Sequence, residues 1–248
     1  MVVLYLGVIR FNGFGEFGME SLVKEEKRAV AKYASSLVKD GQVVGLGSGS
    51  TAALFIVELG KRVKREGLEI IGIPTSKASE ELARKEGIKI STLDEYPELD
   101  LDVDGADEVD PELNLIKGLG ACMLREKVIA AASKLFVVIV DHTKLVDRLG
   151  SKHPVPVEVL PFSLGYVKRK LRELGYKFEL RLGKNGEPLV TDNGNYVLHV
   201  YTGPMENPEE VDETLRNIPG ILETGIFPGM ANLVCVGKGG KVEVLKRR

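Results

Sequence analysis

The sequence is poor in the residues that mark disulfide-rich and zinc-binding proteins. It has no tryptophan, two cysteines and three histidines in 248 residues. Cys122 and Cys235 show no CxxC spacing and lie in apolar or glycine-rich surroundings, which favours small buried side chains in a reducing compartment over a disulfide framework. His142, His153 and His199 show neither HxxxH nor HExxH spacing, so no metal site is expected from them.

The chain also lacks a large excess of either charge and a long apolar run. Its formal net charge is -2 with a pI near 6.0, which disfavours a nucleic-acid partner, and the basic residues 246–248 are interpreted as a solvated tail. The apolar run at residues 1–9 is too short to span a bilayer, and Arg10 follows this run where a secretory signal has its bases in front. We therefore expect a cytoplasmic protein with no membrane partner, and interpret residues 1–19 as an N-terminal appendage.

The first half of the chain alternates helix-like and strand-like segments. Residues 22–39 carry apolar side chains at three- and four-residue spacing, which is typical of an amphipathic helix. Strands and helices then alternate up to residue 90. Residues 99–104 alternate apolar and acidic side chains, and residues 134–140 (KLFVVIV) have the pattern of a buried strand. This order predicts an α/β fold with a Rossmann-like parallel sheet and helices on both faces.

A different order begins near residue 150. The patterns from there to residue 227 are strand, helix, strand, strand, helix and strand, which match the split motif of ferredoxin-like folds. A hairpin that turns at residues 238–240 follows. We therefore predict a catalytic Rossmann-like domain formed by residues 20–149 and 226–248, and a smaller ferredoxin-like βαββαβ domain formed by residues 150–225.

Hydroxyls, carboxylates and lysines follow four of the predicted parallel strands. The segments are residues 47–51 (GSGST), 75–79 (TSKAS), 104–107 (DGAD) and 141–144 (DHTK). In an open parallel sheet, ligands bind outside the carboxyl ends of the strands. Ordinary turns at these places need only a helix cap, so the convergence predicts one ligand site at this edge of the sheet.

The glycine-rich segment GLGSGSTA indicates what kind of ligand that site takes. It lacks the Gly-Lys pair of a nucleoside triphosphate loop. A dinucleotide site also needs an acidic residue at the end of the second strand, and that strand ends at Thr75. No nucleotide cofactor is therefore expected. Backbone N–H groups and the hydroxyls of Ser48, Ser50 and Thr51 at a helix start suit a single phosphate group, although a plain glycine turn with helix caps explains this loop equally well when it is considered alone.

The acidic stretch at residues 94–112 is the second unusual feature. It holds ten carboxylates and no lysine or arginine. The spacing does not fit a calcium-binding EF-hand loop, and residues 94–100 are interpreted as solvated surface. Asp104 and Asp107 differ because they follow a strand, where two like charges need a cation beside them. Lys117 is the nearest candidate in the sequence.

Lys117 opens a segment, KGLG, that precedes a helix-like pattern. Glycines allow backbone N–H groups to approach a ligand, and a helix start favours developing negative charge. Glu126 lies in that helix within reach of Lys117. From spacing alone, the run Arg125–Glu126–Lys127 favours a solvent-facing charge cluster.

Four motifs, GLGSGSTA, DVDGADEVD, KGLGACMLREK and TDNGNYVLHV, together resemble the type A ribose-5-phosphate isomerases. The resemblance extends from about Val23 to the C-terminus. It implies interconversion of D-ribose 5-phosphate and D-ribulose 5-phosphate in the pentose phosphate pathway, without a metal or another cofactor, by a homodimer or homotetramer.

The resemblance also implies roles for individual residues. Glu126 matches the general base, Lys117 the lysine beside the reacting oxygens, and Asp104 and Asp107 the aspartates that bind sugar hydroxyls. Either Lys27 or Arg28 matches a basic residue near the phosphate. The substrate-binding residues implied are Ser48, Gly49, Ser50, Thr51, Gly105, Ala106, Gly118, Leu119, Gly120 and Lys144.

Two positions depart from the family pattern. Leu119 interrupts the usual three glycines, and its cost is expected in loop conformation because the backbone N–H is retained. His142 replaces an acidic residue after the strand-end aspartate. Two other functions remain as alternatives: a sugar-phosphate-sensing regulatory domain, and a coenzyme A transferase of related fold that uses a glutamate as nucleophile.

Overall fold

The computed structural model describes the backbone of residues 14–247 and the side chains from residue 18. A seven-stranded sheet forms its centre, with the strands β1 (Val43–Leu46), β2 (Ile71–Pro74), β3 (Lys89–Ile90), β4 (Leu101–Asp104), β7 (Phe136–Asp141), β13 (Leu233–Lys238) and β14 (Lys241–Lys246). The strand order is β14-β13-β7-β4-β1-β2-β3. All neighbours pair in parallel apart from β13 and β14, which form the predicted C-terminal hairpin.

Helices cover both faces of this sheet, as predicted. They are α1 (Phe14–Leu37), α2 (Ser50–Glu66), α3 (Lys77–Lys85) and α4 (Met123–Ala131). Val137 and Ile139 of β7 pack in one apolar cluster with residues of α1 and α2. Phe136 and Val138 pack in another cluster, with Met123 of α4. Because successive strand residues point to opposite faces, this alternation shows that β7 is buried on both sides.

The acidic and apolar alternation in β4 has a consequence for the site. Leu101 and Val103 belong to the cluster under α1 and α2. Asp102 and Asp104 therefore project from the other face, towards α4, and both are fully buried. The period-two pattern thus places two carboxylates inside the protein because a second layer covers that face.

A four-stranded antiparallel sheet forms the second unit. Its elements are β8 (Val155–Val159), α5 (Leu164–Glu173), β9 (Lys177–Leu180), β10 (Tyr196–Tyr201), α6 (Pro208–Arg216) and β11 (Ile221–Thr224), with the strand order β11-β8-β10-β9. Counted within this unit, the order is 4-1-3-2. This arrangement confirms the predicted ferredoxin-like βαββαβ motif, whereas the predicted domain boundaries remain a prediction.

A small three-stranded sheet joins the two units, and the sequence patterns did not predict it. It consists of β5 (Glu108–Val109), β6 (Leu115–Ile116) and β12 (Ile226–Phe227), in the order β12-β6-β5. The predicted last strand, residues 221–227, is split into β11 and β12 at Gly225. A Cβ atom at Gly225 would lie 2.2 Å from the carbonyl oxygen of Lys117, so this close approach requires glycine.

The first helix also differs from the sequence prediction. It begins at Phe14 instead of near residue 22, so part of it lies within the predicted appendage, residues 1–19. Residues 1–13 of that appendage lie outside the described residues. Among the helices of residues 14–247, none is long and apolar enough to cross a bilayer.

Candidate active site

The carboxyl ends of β1, β4 and β7 meet at one cavity, as three of the four strand-end motifs predicted, whereas residues 75–79 at the end of β2 do not line it. The predicted residues that line it are Ser48, Gly49, Ser50, Thr51, Gly105, Ala106, Asp107, Lys117, Gly118, Gly120, Glu126 and Lys144. Two predicted residues do not line the cavity. Asp104 is buried behind Lys117, and Leu119 contacts Asp107 through its backbone N–H. Lys27 of α1 also lines the cavity, which favours it over Arg28 as the basic residue of the site.

The loop between β1 and α2 forms the first wall. Gly49 adopts φ 90° at the N-cap of α2, a conformation that favours glycine. Gly47 packs against Asp104, where an added Cβ atom would lie 2.3 Å from the carboxyl carbon. The Ser48 N–H donates to Asp104 Oδ1 at 2.9 Å, while the Ser48 hydroxyl lies 2.7 Å from Thr75 Oγ1. The loop is therefore held to β4 and to the end of β2 at the same time.

Two lysines approach the N-terminus of α2 from other elements. Lys27 Nζ donates to Ser50 Oγ at 3.0 Å and lies 3.9 Å from Asp141 Oδ2. Lys144 belongs to the short helical turn that follows β7. Two ammonium groups, a hydroxyl-bearing turn and the positive end of a 17-residue helix suit a phosphate group.

A buried cluster of one lysine and two carboxylates forms the opposite wall. Lys117 Nζ lies 3.0 Å from Asp104 Oδ2 and 3.6 Å from Glu126 Oε2. Lys117 is 2 % exposed, Glu126 4 % and Asp104 0 %. Lys117 follows β6 and Glu126 lies in the first turn of α4, so the fold brings together side chains nine positions apart.

Burial decides the protonation of this cluster. It raises the pKa of the Glu126 carboxyl to about 8, although the Lys117 ammonium opposes the shift. Burial also raises the pKa of Asp104, with Lys117 again opposing. Burial disfavours the charged form of Lys117, but Asp104 and Glu126 outweigh this and raise its pKa above the ordinary lysine value. The site therefore combines a stable cation with a carboxyl group that titrates near neutral pH.

Both backbone polar groups of Leu119 are hydrogen-bonded, and these bonds hold the KGLG segment in place. The Leu119 N–H donates to Asp107 Oδ2 at 3.0 Å, and the Leu119 carbonyl oxygen accepts from the Arg181 guanidinium. Positive φ angles occur at Gly118, at 96°, and at Ala121, the residue after the segment, at 65°. The leucine therefore occupies a position with ordinary backbone angles. The strained non-glycine residue is Ala121.

The prediction from spacing that residues 125–127 form a solvent-facing charge cluster is wrong. Glu126 faces the cavity, and the Lys127 side chain is 11 % exposed and lies 2.7 Å from Glu223 Oε1. Spacing within the chain could not predict this burial, because the covering residue Glu223 belongs to the four-stranded sheet, called the small unit below.

Asp102 is the buried carboxyl that sequence reasoning passed over. It is 0 % exposed, and neither carboxylate oxygen has a hydrogen-bond partner among the described residues. Its signal in the sequence was its spacing of two from Asp104, which predicts the same face of β4. Among the residues that the structure covers, no group of three or more side chains has the arrangement of a metal site.

A parallel α/β sheet whose cavity holds two lysines and a hydroxyl-bearing helix start, beside a buried lysine paired with carboxylates, is typical of enzymes for small phosphorylated substrates. Comparison with known proteins identifies the family. The family model described as Ribose 5-phosphate isomerase A (phosphoriboisomerase A) matches residues 71–241. This chain therefore belongs to the ribose 5-phosphate isomerase A family.

Individual relatives and solved structures agree with this assignment. Ribose-5-phosphate isomerase A of Thermosynechococcus vestitus is 48% identical over 221 residues, which cover 88% of this chain and 94% of the relative. The enzyme of that name from Methanothermobacter thermautotrophicus is 48% identical over 222 residues, covering 89% and 97%. The structure of ribose 5-phosphate isomerase A from Methanocaldococcus jannaschii is 46% identical with a TM-score of 0.87, covering 90% and 99%. A D-ribose-5-phosphate isomerase in complex with phospho-erythronic acid is 43% identical with a TM-score of 0.88, covering 91% and 99%.

Proposed function

We propose that this protein interconverts D-ribose 5-phosphate and D-ribulose 5-phosphate through an enediolate, with Glu126 as the general base. The observation that carries the proposal is the position of the Lys117 ammonium between the carboxylates of Asp104 and Glu126 at the cavity wall. The family membership supports the substrate, and a related isomerase has been solved with phospho-erythronic acid, a small phosphorylated sugar acid.

The phosphate group sets the orientation of the sugar. Lys27, Lys144 and the Ser50–Thr51 turn at the start of α2 line one side of the cavity. A phosphate bound there interacts with two cations and with backbone N–H groups of the helix start. The sugar carbons then extend towards Lys117 and Glu126.

Opening of the furanose ring precedes isomerisation. The C1 hydroxyl loses its proton while the bond between C1 and the ring oxygen breaks, and the ring oxygen gains a proton. Asp104 is the group proposed to assist this exchange, because its carboxylate lies at the Lys117 ammonium. Asp107 lines the cavity and is proposed to hold a sugar hydroxyl.

Glu126 then moves a proton between neighbouring carbons. Its carboxylate removes the proton from C2, the C–H electron pair forms the C1–C2 double bond, and O1 takes the negative charge. The same carboxyl returns the proton to C1. The O2 hydroxyl proton passes to O1, so that C2 becomes the carbonyl carbon and the ketose is formed. Each well-aimed donor stabilises such an oxyanion by about 3 to 4 kcal/mol, and Lys117 is the principal donor proposed.

The raised pKa of Glu126 suits both halves of this transfer. A general base works best when its pKa lies near the working pH, because it must be ionised and still basic enough to accept the proton. Burial raises the pKa of Glu126 to about 8. Activity is therefore expected to increase as the pH rises through this value and the carboxyl ionises.

Substitution of Glu126 tests the proposal. Glu126→Gln should lower kcat by about 100- to 10,000-fold, because the amide cannot accept the C2 proton. Binding of ribose 5-phosphate should remain measurable by calorimetry, since the phosphate contacts are unchanged. Ribulose 5-phosphate formation and incorporation of solvent deuterium should be followed in the presence of EDTA.

The matched control is Glu173→Gln, which neutralises an exposed glutamate of α5 and should leave kcat unchanged. Near-normal turnover of Glu126→Gln would remove Glu126 from its role. An acyl-enzyme that can be trapped by nucleophiles, with no solvent deuterium in the product, would favour the transferase alternative. Loss of parent activity on addition of EDTA would contradict the metal-free mechanism.

A further inference from the structure

The segment TDNGN, residues 191–195, takes no part in the proposed chemistry, yet three of its side chains donate to one carboxylate oxygen of the four-stranded unit. Glu158 of β8 is fully buried. Its Oε1 atom accepts from Thr191 Oγ1 at 2.9 Å, Asn193 Nδ2 at 3.0 Å and Asn195 Nδ2 at 2.8 Å. Three donors on one buried carboxylate oxygen hold the segment in a single conformation.

The outer side of the segment contacts two helices of the large sheet. Asp192 Oδ2 accepts from the backbone N–H of Lys77, the first residue of α3, at 2.8 Å. Asn193 Oδ1 accepts from Arg125 Nε of α4 at 2.7 Å, and the Asp192 carbonyl oxygen accepts from Arg125 Nη2 at 3.2 Å. The segment therefore connects the starts of α3 and α4 to the small sheet.

Arg125 immediately precedes Glu126, so this contact fixes the turn that carries the proposed base. The N-cap residue of α4, Cys122, makes no side-chain capping hydrogen bond with the described residues. On the other side of Glu126, Lys127 lies 2.7 Å from Glu223 Oε1. Residues 125 and 127 are about 200° apart around a helix, so Glu126 lies between two cations that bind the small unit in different directions.

We propose that Glu158 and the TDNGN segment are positioning elements for Glu126, acting through the hydrogen bond from Arg125 to Asn193. This inference rests on the proposed role of Glu126. A displacement of a reacting group by about 1 Å lowers rates by up to about 100-fold. The positioning contact should therefore affect turnover more than substrate binding, because the phosphate subsite belongs to other elements.

Asn193→Ala tests this connection. Asn193 is exposed, and two of the three donors to Glu158, from Thr191 and Asn195, remain in the variant. The variant loses the acceptor of Arg125 and one donor to Glu158. We expect kcat to fall about tenfold while KM for ribose 5-phosphate stays within about twofold.

The matched control is Asn185→Ala. Asn185 is also an exposed asparagine of the small unit, and its side chain accepts from the nearby Glu187 N–H at 3.2 Å. Its kcat and KM should equal those of the parent. A parent-like kcat in Asn193→Ala, a change confined to KM, or an equal loss in Asn185→Ala would each overturn the inference.

A double-mutant cycle supplies the second test. Arg125→Met removes the donor of the same hydrogen bond. Because both substitutions break one contact, we expect the kcat of Arg125→Met/Asn193→Ala to equal that of Arg125→Met, whereas losses that multiply would count against the inference. Normal turnover of Glu126→Gln in the same assay would remove the proposed function itself, whereas an inactive Glu126→Gln with a parent-like Asn193→Ala would remove only the positioning role.

Discussion

The two sheet units bury aspartates in opposite ways. Asp212 of the small unit is 3 % exposed and has three side-chain partners: the Thr224 hydroxyl donates to Oδ1, Arg216 Nε lies 3.0 Å from Oδ2, and Lys127 Nζ lies 3.6 Å from Oδ1. Asp102 of the large sheet is 0 % exposed, and neither oxygen has a hydrogen-bond partner in the described part of the chain.

The contrast separates two uses of a buried carboxyl. Where it is fully partnered, as in Asp212, the group stabilises the structure and links neighbouring elements. Where burial outweighs the partners, it favours the neutral form and raises the pKa. This holds for Asp102, which has no hydrogen-bond partner in the described part of the chain, and for Asp104 and Glu126 beside Lys117. These three carboxyls project towards one end of the large sheet, which is the end that holds the cavity. The region where burial raises the pKa of several neighbouring carboxyls is thus the region to which chemistry is assigned.

Removing the cation that lies beside Asp104 and Glu126 should have the largest effect. Lys117→Met should lower kcat by about 100- to 1,000-fold, because the enediolate loses its principal donor. Steady-state kinetics with ribose 5-phosphate measures this loss. Lys134→Met is the control, since Lys134 pairs with Glu98 at 2.7 Å with its side chain 60 % exposed. A kcat for Lys117→Met close to that of the control would show that Lys117 does not stabilise the enediolate.

Neutralising the well-partnered aspartate should have the next largest effect, on stability. Asp212→Asn retains an acceptor for Thr224 but loses the charge beside Arg216 and Lys127. We expect the free energy of unfolding to fall by about 2 kcal/mol, as for the loss of charge-assisted hydrogen bonds in a buried network. Urea denaturation measures this change. An unchanged midpoint and slope would show that the partners of Asp212 contribute no net stability.

Replacing Asp102 of the large sheet by asparagine should raise the free energy of unfolding, and this effect should be the smallest of the three. Burial raises the folded-state pKa of Asp102 well above its ordinary value of 3.8. The stability contribution of this group is therefore fully present below the unfolded-state pKa and is lost as the pH rises through the folded-state pKa. Because Asn does not titrate, Asp102→Asn should gain about 1 kcal/mol relative to the parent at mildly alkaline pH, the size of a modest desolvation penalty.

The control for that measurement is the acidic end of the pH range. Below pH 3.8, Asp102 is protonated in both the folded and the unfolded state, so the advantage of the variant should disappear. Denaturation midpoints of parent and variant across the pH range test the sign. A destabilised Asp102→Asn at alkaline pH would mean that Asp102 is ionised and has a partner in the folded protein.

The succession of strands and helices in the large sheet and the ferredoxin-like unit could be predicted from the sequence, because apolar periodicity is a local property of a strand or helix. The three-stranded sheet could not. Its strands β5, β6 and β12 are two residues long each, too short to show a period. The start of α1 was also placed too late, because glycines within residues 12–18 favoured an irregular segment.

The candidate site divides in the same way. The strand-end rule located the cavity, and the family motifs selected the residues that line it. Neither could decide whether Lys27 or Arg28 faces the cavity, because adjacent helical residues differ by about 100° and both are basic. The use of the Leu119 N–H by Asp107 was also out of reach, since it depends on how two loops approach each other.

By itself, the sequence determined the α/β class and the membership of an isomerase family, because these depend on periodicity and on short motifs. Only the tertiary structure decided that Arg125, Glu126 and Lys127 lie between the two sheet units. Burial of a charged residue depends on which distant segments cover it, and here Asn193 and Glu223 cover the helix that carries Glu126. The same packing excludes water from Glu126, and that exclusion raises its pKa towards neutral pH.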